Sequence, residues 1–307
     1  MERFKNILCV VNPGEKSSAV VQRAMGLAAR QKTSLTLARI VEDTSSTFND
    51  HGLHFDDDQR PETRTKFETV SNPLVEKSGF EGKPDFLVLR GIPFAEIVKQ
   101  VRRGKHDLLI KPVEDSHNGR ARLRITDKRL LRECPCPVWL VKATAHNKPD
   151  RILAALDSHP GESTAQLNDL ILDLSTSVAA EEHTELHAVS SWGVPGEQAM
   201  RSRVGTIAIR RLLAGVRRTH MQWLRRLTKP YSNHGEKFHV HLLKGKPNDA
   251  ILAEARNVQP DLIVMGTTGR VGITDFFLGS APERILSQLD CSVLVVKPKG
   301  FESTVGA

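Results

Sequence analysis

The stretch that decides the fold lies at residues 261–284 and reads DLIVMGTTGRVGITDFFLGSAPER. It starts with a short apolar run, continues through a loop containing glycines and ends where a helix begins. Ser280 and Glu283 form a capping-box pattern there, and Pro282 suits a first helical turn. Strand, glycine loop and capped helix in this order predict one strand–helix unit of a parallel α/β sheet.

The glycine loop predicts a phosphate site. Its spacing is Gly266-x2-Gly269-x9-Gly279-Ser280. Glycines let a backbone approach a bulky anion closely, and a helix N-terminus offers free N–H groups and the positive end of its dipole. The loop is neither a Walker A sequence nor a G-x-G-x-x-G fingerprint. An ordinary strand–helix turn is the alternative, and it would be favoured for any one of these glycines taken alone.

The chain repeats itself around this unit. Gly91-Ile92-Pro93 and Asp107 recur 154 residues later as Gly245-Lys246-Pro247 and Asp261, and Cys136 recurs 155 residues later as Cys291. Near-constant offsets in the same order indicate two copies of one domain. We place them at residues 1–143 and 150–300.

Each copy shows short apolar runs that alternate with helical patterns. The predicted strands are 4–11, 34–41, 85–89, 107–111 and 137–141 in the first copy, and 151–156, 185–192, 238–243, 261–265 and 292–296 in the second. Helices are predicted at 93–103 and 247–257. This rhythm predicts α/β architecture with doubly wound parallel sheets.

Composition excludes several classes of protein. The chain has 307 residues, 39% apolar and 26% charged, and its longest apolar runs are far shorter than a membrane-spanning helix needs. The N-terminus has no apolar core of a signal peptide behind its charges. Four cysteines without metal-site spacing are expected to be free thiols, so we expect a cytoplasmic protein. The net charge of +8 is mild.

At the glycine loop the chain resembles the universal stress protein family, and the repeat is similar to the tandem type of that family. The resemblance implies two five-stranded sheets in the order 3-2-1-4-5 that pair through their final strands, a pseudo-dimer within one chain. It also implies ATP, bound together with Mg²⁺, as the ligand of the second copy. Asp157 would lie near adenine and ribose, and Met265 would flank the base. The phosphates would be bound at Gly266, Gly269, Gly279 and Ser280, with Thr268 and Ala281 as further donors and Arg270 either reaching phosphate or forming a salt bridge.

The first copy departs from this pattern. Asn12 stands where the second copy has Asp157, and its loop keeps one glycine, Gly119, without a following serine. Pro112 removes an N–H donor near the start of the loop. We therefore expect no ATP there in the same mode. Lys111 with Arg120, Arg122 and Arg124 could bind another anion, and a solvated loop is the alternative.

The segments between the second and third strands differ between the copies. Residues 44–73 are rich in Asp, Ser, Thr and Pro and are predicted to be partly irregular, whereas 198–228 is predicted to be one long amphipathic helix with an arginine-rich face. That face is either simply solvated or a strip for acidic lipid or nucleic acid.

Other candidate sites are weaker. His239 and His241 share one face of a predicted strand, with His187 on its neighbour, but no third metal ligand is secured, so we predict no metal site. Cys134 and Cys136 are too close in sequence for a redox pair. No G-x-S-x-G motif and no general base stand out, and no catalytic residue is assigned.

Three functions remain open. The first is a regulatory module that holds ATP in the second copy without fast catalysis, in a chain that dimerises further. The second is a slow ATP hydrolase or nucleotidyl transferase. The third is a carrier or scaffold that holds a lipid or acidic ligand through the first copy.

Overall fold

The computed structural model describes residues 4–11, 17–42, 60–77, 80–113, 123–142, 149–157, 162–203, 205–267, 281–301 and 303. The strands are β1 (Asn6–Val10), β2 (Ser34–Val41), β3 (Asp85–Arg90), β4 (Leu108–Val113), β5 (Val138–Lys142), β6 (Arg151–Ala155), β7 (Glu185–Trp192), β8 (Phe238–Lys244), β9 (Leu262–Gly266) and β10 (Ser292–Val296). The helices are α1 (Ser17–Gln31), α2 (Arg60–Lys77), α3 (Pro93–Arg103), α4 (Ile125–Glu133), α5 (Glu162–Glu182), α6 (Glu197–Arg201), α7 (Thr206–Thr228), α8 (Pro247–Val258) and α9 (Ala281–Gln288), with a 3-10 helix at Lys229–Lys237.

The chain forms two compact units. The first contains Met1–Lys148, Leu286–Val295 and Gly300–Ala307, and the second contains Pro149–Ile285 and Val296–Lys299. No described helix is long and apolar enough to cross a membrane.

The first unit has the predicted strand order. β3, β2, β1, β4 and β5 are neighbours in that order, and every pairing among them is parallel. Its sixth strand is β10, which pairs antiparallel with β5 through Val293 and Leu140. The pairing of final strands is the one that the family resemblance implied.

The second unit repeats the arrangement. β9, β6, β7 and β8 are neighbours in that order and run parallel. The fourth strand follows the first in space in both units, so each sheet reverses its winding direction between those two strands. The prediction of a doubly wound parallel α/β fold is confirmed.

The strands read as continuous apolar runs because their sheets are covered on both faces. Every residue of β4, β5 and β10 is buried, as are Leu262–Met265 in β9. β8 is different: none of its residues is buried. In the second unit, α5 packs against β6 and β9, and α8 packs against β7.

The repeated aspartates fix the start of each first strand. The carboxylate of Asp107 accepts hydrogen bonds from the backbone N–H of Lys5 and Asn6 at 2.7 and 3.0 Å. Asp261 does the same for Asp150 and Arg151 at 2.8 and 3.1 Å. Each carboxylate therefore fastens the start of the first strand to the start of the fourth.

A repeated Gly-x-Pro tripeptide connects the third strand of each unit to the helix that follows it. Gly91 and Gly245 have φ values of 122° and 145°, which residues with a side chain rarely adopt. Their N–H groups donate to the last residue of the neighbouring strand, Val41 or Trp192. Proline two positions later begins the helix, where its missing N–H costs nothing.

The predictions for the variable segments are partly wrong. The irregular 44–73 overlaps α2, which runs on from Arg60 with Pro73 inside it, while 43–59 lies outside the described residues. The long helix at 198–228 is divided into α6 and α7. Ser202 closes α6 and Gly205 is the N-cap of α7, and glycine is a poor residue for a helix interior.

Replacing either repeated aspartate should destabilise its unit. We expect Asp107→Ala and Asp261→Ala each to lower the free energy of unfolding by about 1.5 kcal/mol, since each removes charge-assisted bonds to two backbone donors. Urea denaturation measures the change. Asp85→Ala, at an exposed position at the start of β3, is the control and should stay within about 0.5 kcal/mol of the parent. An equally small loss for Asp107→Ala and Asp261→Ala would contradict this account.

Candidate functional site

A cleft opens at the carboxyl ends of β6, β7 and β9, where the second sheet reverses its winding direction. Parallel α/β sheets usually bind ligands at this point, because the loops that follow the two central strands diverge. The walls are formed by Ala155, Leu156, Asp157, Leu167, Asn168, Ile171, Val189, Ser190, Ser191, Pro247, Ala250, Ile251, Met265 and Gly266.

The Asn168 amide holds the end of the first strand in place. Its Oδ1 accepts the backbone N–H of Asp157 at 3.0 Å, and its Nδ2 donates to the backbone carbonyl of Asp157 at 2.8 Å. Asn168 is 1% exposed, so these bonds are shielded from water. The backbone of Asp157, one of the residues that line the cleft, is thereby fixed from α5.

The end of β9 forms the opposite wall. Met265 is 2% exposed, and Gly266 follows it. A Cβ on Gly266 would lie 2.6 Å from Cδ2 of Leu167, so the backbone approaches α5 too closely for a side chain. Thr267 then donates its N–H to the carbonyl of Val296 at 2.9 Å. The position from which the chain enters the glycine loop is therefore fixed.

The cleft is mainly apolar with a few polar groups at its rim. Ser190 donates its hydroxyl to the carbonyl of Leu156 at 3.0 Å, which ties β7 to the end of β6. Asp157 is the one acidic or basic side chain among the described residues of the walls. Such a lining suits a flat apolar ring with polar edges rather than a charged group.

The first unit has an ion pair at the corresponding place. Lys111 in β4 aligns with Met265 at the repeat offset, and its Nζ lies 2.8 Å from Oδ1 of Asp127 in α4. The two side chains are 6% and 0% exposed. Asp127 also accepts the N–H of Arg124 at 3.0 Å, so a carboxylate of the protein itself occupies the start of α4.

This pair corrects one expectation about the first copy. Lys111 was considered together with Arg120, Arg122 and Arg124 as a group that could bind an anion. It is buried and paired with Asp127 instead, because an unpaired ammonium would be costly to bury. Arg120, Arg122, Gly119 and Asn12 lie outside the described residues.

The three histidines of the second unit lie together on β7 and β8. Nδ1 of His187 is 3.1 Å from Nε2 of His241, and the ring of His239 stacks on that of His187 with centroids 4.7 Å apart. Glu254 of α8 lies 3.2 Å from His241, and Glu185 lies 3.6 Å from His187. Within the described ranges, no three or more His, Cys, Asp or Glu side chains are arranged to hold a metal ion.

Burial lowers the pKa of the imidazoles of His187 and His241. Desolvation is the main cause of the lowered pKa of His187, and the neighbouring His239 and His241 add to it. The pKa of His241 is lowered by burial and by His239, against the opposing effect of Glu254. The fold therefore favours the neutral forms of both rings.

The sequence model of the universal stress protein family matches residues 3–142 and 149–297, which is nearly the whole chain. The chain belongs to the universal stress protein family. Universal stress protein E of Escherichia coli K12 is 30% identical over 217 residues, covering 69% of this chain and 67% of the relative. Its counterpart in Photorhabdus laumondii is 25% identical over 319 residues, covering 100% and 99%.

Solved structures agree on the fold of this universal stress protein. One from Pseudomonas aeruginosa has a TM-score of 0.69 at 22% identity and covers 97% of this chain and 94% of that one. Another, from Archaeoglobus fulgidus, has a TM-score of 0.60 at 18% identity and covers 95% and 98%. At these identities the similarity concerns the fold alone.

The predicted site residues of this universal stress protein divide into two groups. Asp157, Met265 and Gly266 lie together in the walls of the cleft. Thr268, Gly269, Arg270, Gly279 and Ser280 lie outside the described residues, and Ala281 begins α9 with no description of its side chain.

Sequence reasoning missed Asn168 and Leu167. Both lie on α5, the helix that follows β6, in which Leu167, Ile171 and Leu174 form an apolar stripe at three- and four-residue spacing. A polar residue beside the buried side of that stripe was the signal that could have found Asn168, since a buried amide needs partners.

The variant Lys111→Met gives the first unit the methionine that the second unit has at the aligned position, Met265. We expect it to lower the free energy of unfolding by about 3 kcal/mol, because Asp127 would be left buried without its cation. In the double variant Lys111→Met/Asp127→Asn most of that loss should be recovered, since an asparagine oxygen can still accept the N–H of Arg124. Denaturant titration of both variants measures the difference. Equal stability of the single and double variants would contradict the role given to the pair.

The histidine cluster predicts that acid destabilises the second unit. Because the folded pKa values of His187 and His241 lie below the ordinary 6.5, the unfolded chain binds more protons, and stability is lost as the pH falls through 6.5 towards the folded values. We expect His187→Gln to show a smaller fall in melting temperature between about pH 7.5 and about pH 5.5 than the parent. His183→Asn, at an exposed turn position, should keep the fall of the parent. A parent-like fall in His187→Gln would contradict the prediction.

Proposed function

We propose that this universal stress protein binds one ATP in the cleft of its second copy and acts as a regulatory module without fast catalysis. The observation that carries the proposal is the cleft itself. It opens beside the switch between β6 and β9, with Asp157 on one side and Met265–Gly266 on the other. The glycine loop follows Gly266 directly in the chain.

The cleft suits an adenosine. Apolar side chains such as Val189, Ile251 and Met265 offer flat contact for a base. The Asp157 carboxylate can accept a hydrogen bond from a ribose hydroxyl, and its backbone is held in place by Asn168 before any ligand arrives.

The phosphates would be bound where the chain leaves the cleft. Gly269, Gly279 and Ser280 belong to the loop between Gly266 and α9, and Thr268 and Arg270 are further donors in it. The helix that starts at Ala281 offers free N–H groups, which favour an anion. A bound Mg²⁺ would neutralise part of the charge of the triphosphate.

The first copy supports a stoichiometry of one nucleotide per chain. The carboxylate of Asp127 accepts an N–H at the start of α4, and Lys111 fills the place of Met265. A phosphate brought to that helix start would meet a negative charge in place of free N–H groups.

Catalysis is proposed to be slow because the walls of the cleft offer no pair of groups for acid–base work. Their one acidic side chain among the described residues is that of Asp157. A turnover above about 1 s⁻¹ with one substrate would instead favour an ATP hydrolase or a nucleotidyl transferase.

Two further expectations belong to the proposal. Cys9, Cys134, Cys136 and Cys291 are buried free thiols, which agrees with a reducing compartment such as the cytoplasm. Burial raises the pKa of the Cys9 thiol to about 12, so it is unreactive. We also propose that the chain forms a homodimer, which sedimentation would test.

The test of the ATP site is a pair of matched loop variants. A branched side chain at Gly279 would block the approach of the phosphates, so we expect Gly279→Val to weaken binding of Mg-ATP at least tenfold, or about 1.4 kcal/mol. Gly119→Val makes the same change in the loop of the first copy and should leave the affinity unchanged. Calorimetry measures both.

Three outcomes would overturn the proposal. They are unchanged affinity in Gly279→Val, loss of affinity in Gly119→Val, and two nucleotides per parent chain. Mass spectrometry of the small molecules released from the denatured protein gives an independent check. A lipid found in place of a nucleotide would favour a carrier.

A further inference from the structure

The helix α7 is exceptional in its charge. Its 23 residues, TIAIRRLLAGVRRTHMQWLRRLT, include six arginines and no acidic residue. The arginines come in three adjacent pairs, Arg210–Arg211, Arg217–Arg218 and Arg225–Arg226. Residues 147–307, which contain the second copy, include 19 basic and 17 acidic residues, so outside α7 acidic residues outnumber basic ones there. The positive charge of this copy is therefore concentrated on one helix.

One side of α7 packs on the protein and the other carries the charge. The described contacts of α7 are with α5, α6, β7 and the 3-10 helix, and its buried residues are Ile209, Leu224 and Thr228. All six arginines are exposed. At about 100° per residue they occupy an arc of about 180° opposite the apolar stripe. The cationic face is thus turned to solvent along most of the helix.

Among the described residues, no ion pair neutralises this charge. Arg201, in the short helix before α7, is paired with Glu197 at 2.7 Å. Within the part of the chain that the structure describes, no acidic side chain makes such a pair with any of the six arginines of α7. Six neighbouring cations repel one another, and an anionic partner would relieve that repulsion.

We infer that the arginine face of α7 binds the phosphate backbone of double-stranded nucleic acid without reading its sequence. Guanidinium groups match phosphate oxygens in a two-pronged fashion and suit this partner better than lysines would. Successive pairs are seven and eight residues apart, or about 10 and 12 Å along the helix axis. This is close to the major-groove width of about 12 Å, so guanidinium groups on this face can reach phosphates on both edges of a groove.

The composition of the exposed face argues against other anionic partners. Single strands are held by stacking on aromatic side chains, but Trp223, the one aromatic residue of α7 besides His220, is half-buried on the packed side. Anionic membranes bind amphipathic helices through an exposed apolar stripe. The exposed apolar residues Ile207 and Leu212 lie about 140° apart around the helix and do not form one stripe. Asparagine and glutamine are side chains that read base edges, and α7 has one of them, Gln222. This composition agrees with contacts to phosphate alone.

Fluorescence anisotropy with the full-length protein and a labelled duplex of about 20 base pairs tests this inference. We expect the parent to bind and its affinity to fall up to about 10³-fold between about 50 and 200 mM salt, the fall that six phosphate contacts give. Arg217→Gln/Arg218→Gln should lower the salt slope by about 2, because about 0.9 is lost per contact. Glutamine keeps the helix, since its propensity is close to that of arginine.

The matched control removes two exposed arginines elsewhere. Arg90→Gln/Arg103→Gln in the first copy changes the net charge equally and should leave the salt slope unchanged. Gly279→Val should also bind duplex normally, which separates this inference from the ATP site. Circular dichroism verifies that each variant is folded.

Several results would overturn the inference. They are no binding of the parent at about 50 mM salt, an equal loss in the control and the α7 variant, and tighter binding of a single strand than of the duplex. Binding to vesicles that contain anionic lipid, without binding to the duplex, would overturn it too and assign the face to membranes. Equal slopes for two duplexes of unrelated sequence are expected, and a strong preference for one would contradict contact to phosphate alone.

Discussion

The parallel pairing of the first strand of each copy with its fourth is the constraint on which the rest of the structure depends. β1 pairs with β4, and β6 with β9, so each sheet winds outward in opposite directions from that pair. Asp107 and Asp261 fasten the starts of these strands together, which fixes their register. In folds of this kind the connections that follow two such strands run to opposite faces of the sheet, and a crevice opens at their carboxyl ends. The cleft beside Asp157 is a consequence of the topology, and the side chains decide only what it can hold.

The two copies share this topology but fill the crevice differently. In the second copy the walls include an apolar methionine, a glycine in close contact with Leu167, and an aspartate whose backbone is held by Asn168. In the first copy the equivalent of Met265 is Lys111, and the charge of that lysine is matched inside the protein by Asp127. A buried ion pair adds little net stability, because the desolvation of both groups opposes their attraction. It does remove a helix N-terminus and a cation from the surface of the first copy, which is the basis for proposing a ligand site in the second copy alone.

The edge strand and the helix before it give the second unit features that the shared fold does not require. β8 has no buried residue, and its two histidines, His239 and His241, lie against His187 of β7. α7 covers little with its apolar stripe and turns six arginines outward. Both features lie in the variable part of the domain, between the second and third strands or at the third strand itself. Such peripheral segments can change without disturbing the central pair of strands, which is why added functions are placed there.

The sequence alone determined the repeat, the doubly wound parallel fold and the bounds of most strands, because buried strands of a parallel sheet are apolar throughout and the Gly-x-Pro turns mark where helices begin. The resemblance carried by the glycine loop predicted one site containing Asp157, Met265 and Gly266, and the structure places these three residues in the walls of one cleft. Only the tertiary structure decided that Asn168 holds the Asp157 backbone, that Lys111 is sequestered by Asp127, and that the basic segment is broken at Ser202–Gly205 before α7 begins. These features depend on contacts between residues distant in the chain or on local backbone geometry. A pattern of residue types cannot specify them, because the same lysine would be free on one packing and neutralised on another.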